Sequence, residues 1–131
     1  SYMPLILGKR LPSSIREQLI KGVTRKGRFL TSWGLATESL KSRLYESDGY
    51  WRGPIWAPST YILYDGLLQS GEYKLARKIA YRFCKLCAKS GMAENFDAIT
   101  GVPLRDKAYT WTASVFLLLA RDLLKVKRYM F

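Results

Sequence analysis

Apolar side chains recur at helical spacing in four stretches of the chain. The first stretch follows Pro12 and two serines, which are typical of a helix N-cap, and should end near Gly22. The second has Pro58 in its first turn, where proline is well tolerated, and should stop at Gly71. The apolar positions are Ile15, Leu19, Ile20 and Val23 in the first stretch, and Tyr61, Leu63, Tyr64, Leu67 and Leu68 in the second.

The third and fourth stretches are longer. Residues 72–89 form an amphipathic pattern with an apolar stripe and a basic side, and Gly91 closes it. Residues 110–126 are apolar on most sides, as expected of a helix packed on two faces. No alternating strand pattern persists, so the sequence predicts an all-α fold of helical pairs in a single domain, residues 1–131. The stripe of the third stretch consists of Ala76, Ile79, Ala80, Phe83 and Cys87.

The chain is strongly basic. It carries 22 Lys and Arg against 10 Asp and Glu, a formal net charge of +12. Such a balance is typical of proteins that meet phosphate or an anionic surface. The basic residues are nevertheless spread over the helical stretches 72–90 and 121–131 among apolar ones, a pattern that favours solvated helix faces. Nucleic-acid binding is therefore a weak hypothesis, and two stronger ones follow from the motifs described below.

The chain contains no histidine. This excludes Ser-His-Asp and Cys-His catalysis and the usual histidine-containing zinc sites. Cys84 and Cys87 lie one helical turn apart without a second cysteine pair, so we interpret them as small buried apolar residues and expect no metal and no cofactor. The absence of a signal pattern and of a long apolar run predicts a cytoplasmic protein without a membrane partner.

Carboxylates are the main candidates for proton transfer in a chain without histidine. Most of the acidic residues lie on predicted helix surfaces or near helix ends. Glu94 differs because it lies in a loop, "MAENFD", beside an aromatic and an amide residue. Partial desolvation lets such a carboxyl group exchange protons near neutral pH, so Glu94 is a candidate general acid or base.

Residues 49–57, "GYWRGPIWA", place two tryptophans and an arginine in a loop broken by glycine and proline. Aromatic rings pack against the C–H faces of sugars, while sugar hydroxyls require charged or amide partners. The competing interpretation is that each tryptophan belongs to the core. The residues that together supply a sugar-binding set are Trp51, Arg52, Trp56, Glu94, Asn95 and Trp111.

Three ordered motifs carry a resemblance to a known family. They are "YWRGPIW" at 50–56, "ENFDAITG" at 94–101 and "YTWTA" at 109–113. Together they resemble the C-terminal part of the (α/α)6 toroid of glycoside hydrolase family 63 and its mannosylglycerate-hydrolase-like relatives. The trehalases of family 37 are more distantly similar. The opening "MPLILGKRLP" also resembles the stretch that leads into this region, so the similarity covers nearly the whole chain.

The resemblance implies antiparallel helical hairpins that form part of the toroid of an inverting glycoside hydrolase acting on α-linked glucosides or mannosides. Glu94 matches the general base of the family. The general acid, an aspartate from the upstream half of the toroid, has no counterpart here, and Asp48, Asp65 and Asp106 lie outside the acid motif. The implied substrate-binding residues are Tyr50, Trp51, Arg52, Gly53, Trp56, Asn95 and Trp111.

The expected partners follow from the missing acid. We expect an oligosaccharide or glycoside substrate, and a toroid completed by an upstream half-toroid or by self-association, with the isolated chain inactive. The alternative hypothesis is a non-catalytic carbohydrate-binding or helical interaction module that keeps the cleft without the acid.

Overall fold

The described part of the chain is mostly helical. The structure, a computed structural model, describes residues 1–129, together with the side-chain surroundings of residues 1–125. The expected all-α class is confirmed, with one small antiparallel sheet added. In chain order the elements are a 3-10 segment (Met3–Arg10), α1 (Ser13–Thr24), α2 (Ala57–Gln69), α3 (Tyr73–Ser90), β1 (Asn95–Phe96), β2 (Pro103–Leu104) and α4 (Thr110–Tyr129).

The core lies where α2, α3 and α4 pack against one another. A short turn joins α2 to α3, and Gly71 in this turn has a φ of +81°, a backbone conformation that favours glycine. Proline in the first turn of α2 and the predicted stop of this helix are both confirmed. The predicted stripe of α3 is also confirmed, since Ala76, Ile79, Ala80, Phe83 and Cys87 are all buried.

The first helix differs from its prediction. Pro12 is the N-cap residue, and neither serine makes a capping hydrogen bond, because α1 already begins at Ser13. The helix also continues past Gly22 to Thr24, whose hydroxyl donates to the Ile20 carbonyl at 2.9 Å. Glycine is tolerated inside a helix at a modest cost, so it did not end this one.

The 3-10 segment packs on α2 through close backbone contact. A Cβ added at Gly66 of α2 would lie 2.3 Å from the carbonyl oxygen of Leu5, so only glycine allows the two backbones to approach this closely. Leu5 itself is fully buried. This contact seats the N-terminal segment on the helix that follows the loop at 49–56.

α4 packs against both α2 and α3 within the described chain and leaves a third side in solvent. Val115 and Leu119 are buried, whereas Leu117 and Leu124 are 66% and 67% exposed. The expected packing on two faces is therefore seen, and a further apolar side of the helix remains uncovered. Large apolar side chains left in water at helical spacing are typical of a face that meets a further element.

The basic residues of α3 lie mainly in solvent, as the pattern predicted. Lys74, Lys78, Lys85 and Lys89 are exposed, while Arg82 is half-buried and donates to the Thr31 carbonyl. In the second basic stretch, the side chains after residue 125 lie outside the described ones.

The two cysteines lie on α3 with Cys87 buried and Cys84 half-buried. Burial raises the pKa of the Cys84 thiol to about 11 and that of Cys87 to about 12. The reactive thiolate is therefore disfavoured at neutral pH, as in a structural cysteine. Within the described residues there is no group of three metal-ligating side chains, and no helix is long and apolar enough to cross a membrane.

Candidate functional site

The loop at 49–56 is shaped by one glycine and one threonine. A Cβ added at Gly53 would lie 2.0 Å from the Glu46 carbonyl oxygen, so the turn closes only around glycine. The Thr37 hydroxyl accepts from the Gly53 amide at 3.2 Å and donates to the Pro54 carbonyl at 2.8 Å. Gly53 and Thr37 thus fix the bend that follows the aromatic residues Tyr50 and Trp51.

A backbone pair joins this loop to the segment that carries Glu94. The Ile55 amide donates to the Phe96 carbonyl at 2.7 Å, and the Phe96 amide returns the bond at 3.1 Å. Ile55 also forms an isolated bridge with Ala36 on its other side, and all three residues are buried. This short ladder places the first two sequence motifs side by side.

Glu94 lies half-buried at the meeting of the two motifs. The Tyr50 hydroxyl donates to its Oε1 at 3.1 Å. This bond to a carboxylate is the main reason that the pKa of Tyr50 is raised above its usual value of 10.0. No other side chain within the described residues donates to Glu94. The second carboxylate oxygen is therefore available to a ligand or to water.

The tryptophans of the loop form a stack. The indoles of Trp51 and Trp56 lie 4.0 Å apart with an interplanar angle of 11°, and Trp56 Nε1 donates to the Tyr50 carbonyl at 2.9 Å. Trp56 is 1% exposed, whereas Trp51 is 45% exposed. The inner ring therefore supports the outer one, which presents its open face to solvent.

A hollow of about 490 Å³ adjoins Trp51 between α2 and α4. Trp111, which is 50% exposed, lies on its other side, and apolar groups of both helices complete its wall. The residues lining it are Trp51, Pro58, Tyr61, Ile62, Trp111, Ser114 and Val115. Two open indoles facing one hollow suit the C–H face of a sugar ring.

The third motif fixes the segment that precedes Glu94. The buried Thr112 hydroxyl on α4 donates to the Ala93 carbonyl at 2.5 Å, and the Tyr109 amide donates to the Met92 carbonyl at 2.8 Å. These bonds attach the start of α4 to residues 92–93. The position of Glu94 therefore depends on all three motifs.

The rest of the second motif builds a turn. Asp97 Oδ1 accepts from the amides of Ile99 and Thr100 at 2.8 and 2.7 Å. Gly101 follows with a φ of +72°, and a Cβ there would lie 2.9 Å from the Trp33 ring. Asp97 and Gly101 thus have structural roles in the turn that leads from β1 to β2.

Several of the predicted site residues do not reach the surface of the site. Gly53, Trp56 and Asn95 are buried, so in this structure they support the site from beneath instead of lining it. Arg52 is exposed and forms an ion pair with Glu46 at 2.9 Å. The predicted residues that are exposed are Tyr50, Trp51, Arg52 and Trp111, and of these Tyr50 donates to Glu94.

The family model of the mannosylglycerate hydrolase MGH1-like glycoside hydrolase domain matches residues 1–112. The chain belongs to this family. Among curated members, it is 33% identical over 73 residues to the mannosylglycerate hydrolase of Rubrobacter radiotolerans, covering 56% of this chain and 16% of that protein. It is 28% identical over 120 residues to the glucosylglycerate hydrolase of Mycolicibacterium hassiacum, covering 88% of this chain and 27% of that protein.

Solved structures of the family show the same fold. The mannosylglycerate hydrolase from Thermus thermophilus, solved in complex with Tris, superposes with a TM-score of 0.76 at 26% identity, covering 92% of this chain and 29% of that chain. The complex with glucose gives a TM-score of 0.74 at 25% identity, covering 89% and 30%. The expected partial (α/α)6 toroid is confirmed, and the chain spans less than a third of the relatives it matches.

One residue of this glycoside hydrolase domain was not found from the sequence. Arg105 follows β2, and its guanidinium carbon lies 4.7 Å from the centre of the Tyr50 ring. Its Nη1 also forms an ion pair with Asp48 Oδ1 at 2.5 Å. Arg105 belongs to none of the three motifs, and a single basic residue in a polar loop gives no signal of such contacts.

Proposed function

We propose that this domain supplies the general base, Glu94, and part of the sugar subsite of an inverting glycoside hydrolase. The observation that carries the proposal is the Glu94 carboxylate, which accepts the Tyr50 hydroxyl at 3.1 Å in the loop system that also presents the open ring of Trp51. Membership of a glycoside hydrolase family supports the reaction class. A carboxylate with one oxygen held and the other available is suited to orienting and deprotonating a water molecule.

The chemistry requires two carboxyl groups. Glu94 would remove a proton from water as the water oxygen attacks the anomeric carbon, while an acid across the bond protonates the leaving oxygen. In inverting enzymes the two groups lie roughly 6.5–9.5 Å apart, which leaves room for the water. The bond to the leaving group breaks as the new C–O bond forms on the opposite face, so the anomeric configuration inverts.

We propose that the acid comes from residues outside this chain. The three aspartates considered above already have partners: Asp48 pairs with Arg105, Asp65 accepts from Gln69 and Asp106 caps the Ala108 amide. These contacts already engage the three carboxylates within the fold, which supports an acid from elsewhere in the domain. The chain would then need the remainder of its domain for turnover.

The substrate class is proposed from the relatives. Curated relatives are named mannosylglycerate hydrolase and glucosylglycerate hydrolase, so we propose an α-mannoside or α-glucoside of glycerate. The sugar ring would pack against the open faces of Trp51 and Trp111. Arg52 would contribute to binding only by leaving its ion pair with Glu46.

A carbohydrate-binding module is the second candidate. It is favoured by the hollow that the open rings of Trp51 and Trp111 border. It is also favoured by the lack of an available acid among the three aspartates discussed above, since each of them already has a partner. Such a module would bind the same glycosides without cleaving them.

The anomeric form of the product tests the proposal. In the longest natural polypeptide that carries this chain, proton NMR during hydrolysis of α-mannosylglycerate or α-glucosylglycerate should first show the β-sugar. Initial release of the α-sugar would overturn inversion. Binding of these glycosides without cleavage would favour the module.

A further inference from the structure

Two neighbouring residues of the site have unusual backbone conformations. Tyr50 has a φ of +60° and Arg105 a φ of +62°, and they are the two non-glycine residues with positive φ in the described chain. A tyrosine or arginine adopts this conformation only when its surroundings impose it. The two side chains also contact each other, since the Arg105 guanidinium lies over the Tyr50 ring at 4.7 Å. The two residues with this conformation therefore meet in one contact.

The guanidinium of Arg105 connects the two loops of the site. Its Nη2 donates to the Asp48 carbonyl at 3.2 Å, and its Nη1 pairs with the Asp48 carboxylate. The same Nη1 also donates at 3.2 Å to Oδ1 of Asn95, which is fully buried directly after Glu94. Stacking on Tyr50 adds a third attachment. One planar group thus binds residues 48, 50 and 95 together.

A solvated surface ion pair is the competing explanation for Arg105. Exposed ion pairs contribute little to stability. Here, however, the contacts use the forked donors and the flat face of the guanidinium at the same time, which a lysine ammonium cannot reproduce. The buried acceptor on Asn95 also distinguishes this arrangement from a pair formed in solvent.

We propose that Arg105 is a positioning residue that holds the Tyr50 hydroxyl against Glu94. The inference rests on the proposed function of Glu94 for its catalytic meaning, but the geometry that it describes is independent of turnover. Arg105 acts through Tyr50 and Asn95. Its contacts attach the loop at 49–56 to the segment that carries Glu94.

The pKa of Tyr50 distinguishes positioning from a simple charge effect. The hydrogen bond to Glu94 raises this pKa, whereas the positive charge of Arg105 lowers it, and Tyr109 is the remaining titratable group that acts on it. If Arg105 holds the bond, Arg105→Lys keeps the charge but loses the bond, so the pKa of Tyr50 falls toward its ordinary value. If Arg105 contributes only charge, Arg105→Lys leaves the pKa unchanged.

The test uses the 131-residue chain labelled with 3-fluorotyrosine, whose phenol titrates at lower pH than that of tyrosine. Fluorine NMR follows the titration, and Tyr50→Phe identifies the Tyr50 signal. The matched control is Arg121→Lys on α4, where an exposed arginine pairs with Asp122. We expect a lower Tyr50 pKa in Arg105→Lys and no change in the control. An unchanged or raised pKa in folded Arg105→Lys overturns the proposal.

A second variant tests the same contact without changing Arg105, in case Arg105→Lys fails to fold. Asp48→Asn weakens the anchor of Arg105 without touching the arginine, and it should shift the Tyr50 pKa in the same direction by a smaller amount. Circular dichroism checks the fold of each variant. No shift in folded Asp48→Asn and Arg105→Lys contradicts the proposal.

The catalytic consequence is measured separately. In the longest natural polypeptide, Arg105→Lys should lower kcat roughly tenfold to a hundredfold with little change in KM, because a displaced base loses orientation more than affinity. A pKa shift without any change in kcat would leave the positioning intact and count against the role of Glu94 as base. An unshifted pKa would count against the positioning alone.

Discussion

Tyr50 is the residue at which the interactions of the site converge. Its hydroxyl donates to Glu94, and its ring meets Trp56 edge to face with the centroids 4.9 Å apart. The guanidinium of Arg105 covers the same ring. A side chain held from three directions fixes its hydroxyl in space, so Glu94 has a defined partner even though Tyr50 is exposed.

The pKa of Tyr50 should depend on the negative charge of Glu94. Glu94→Gln replaces a charged acceptor with a neutral one, which stabilises the protonated phenol less, so we expect the pKa of Tyr50 to fall. Fluorine NMR of the labelled chain measures the shift, with Glu72→Gln beside α3 as the matched control. Equal Tyr50 titration in Glu94→Gln and the unaltered chain would show that the bond does not form in solution.

Motif membership identified residues of the site but not their exposure. Trp56 and Asn95 belong to the motifs, yet both are buried, because the side that each presents depends on the ladder between Ile55 and Phe96. That ladder pairs residues far apart in sequence and leaves no local pattern. Arg105 was missed for the same reason, since it contacts Asp48 across 57 positions.

The helices follow from local sequence patterns, whereas the loops depend on contacts between residues far apart in the chain. The apolar stripes of α2 and α3 were sufficient to predict both helices and the turn at Gly71. β1 and β2 have two residues each and were not predicted, because so short a strand shows no alternation. The loop at 49–56 depends instead on close contacts such as that of Gly53 with Glu46.

Two glycines should respond oppositely to alanine. Gly53→Ala places a methyl group against the Glu46 carbonyl and should destabilise the chain by about 1–3 kcal/mol. Gly22→Ala on α1 has open space around its new methyl group and should stabilise the chain by about 0.5–1 kcal/mol. Urea unfolding of the two variants measures both changes. Equal stability of the two variants would contradict the loop geometry described here.

The chain as a whole forms part of a toroid, and one side of this part is left exposed. α4 has buried residues facing α2 and α3, while Leu117 and Leu124, which share another face of the helix, remain exposed. Its relatives are more than three times as long as the segment they share with this chain. The apolar face of α4 is thus where we expect further helices of the domain, or a second copy, to pack.

The exposed face of α4 should make the isolated chain associate. Replacing Leu117 and Leu124 by glutamine removes apolar surface that contact with a second copy would cover, so association should weaken. Sedimentation velocity over a range of protein concentrations measures this, with Leu44→Gln, an equally exposed loop residue, as the control. A monomer at every concentration would show that the face does not drive association in this chain.

Turnover of Glu94→Gln tests whether Glu94 is the general base. In the longest natural polypeptide that carries this chain, hydrolysis of the glycosylglycerate substrate should have a kcat roughly 10²- to 10⁴-fold lower, with KM nearly unchanged. Glu17→Gln on the exposed surface of α1 is the matched control and should retain full turnover. Near-normal kcat in Glu94→Gln would show that Glu94 is not the general base.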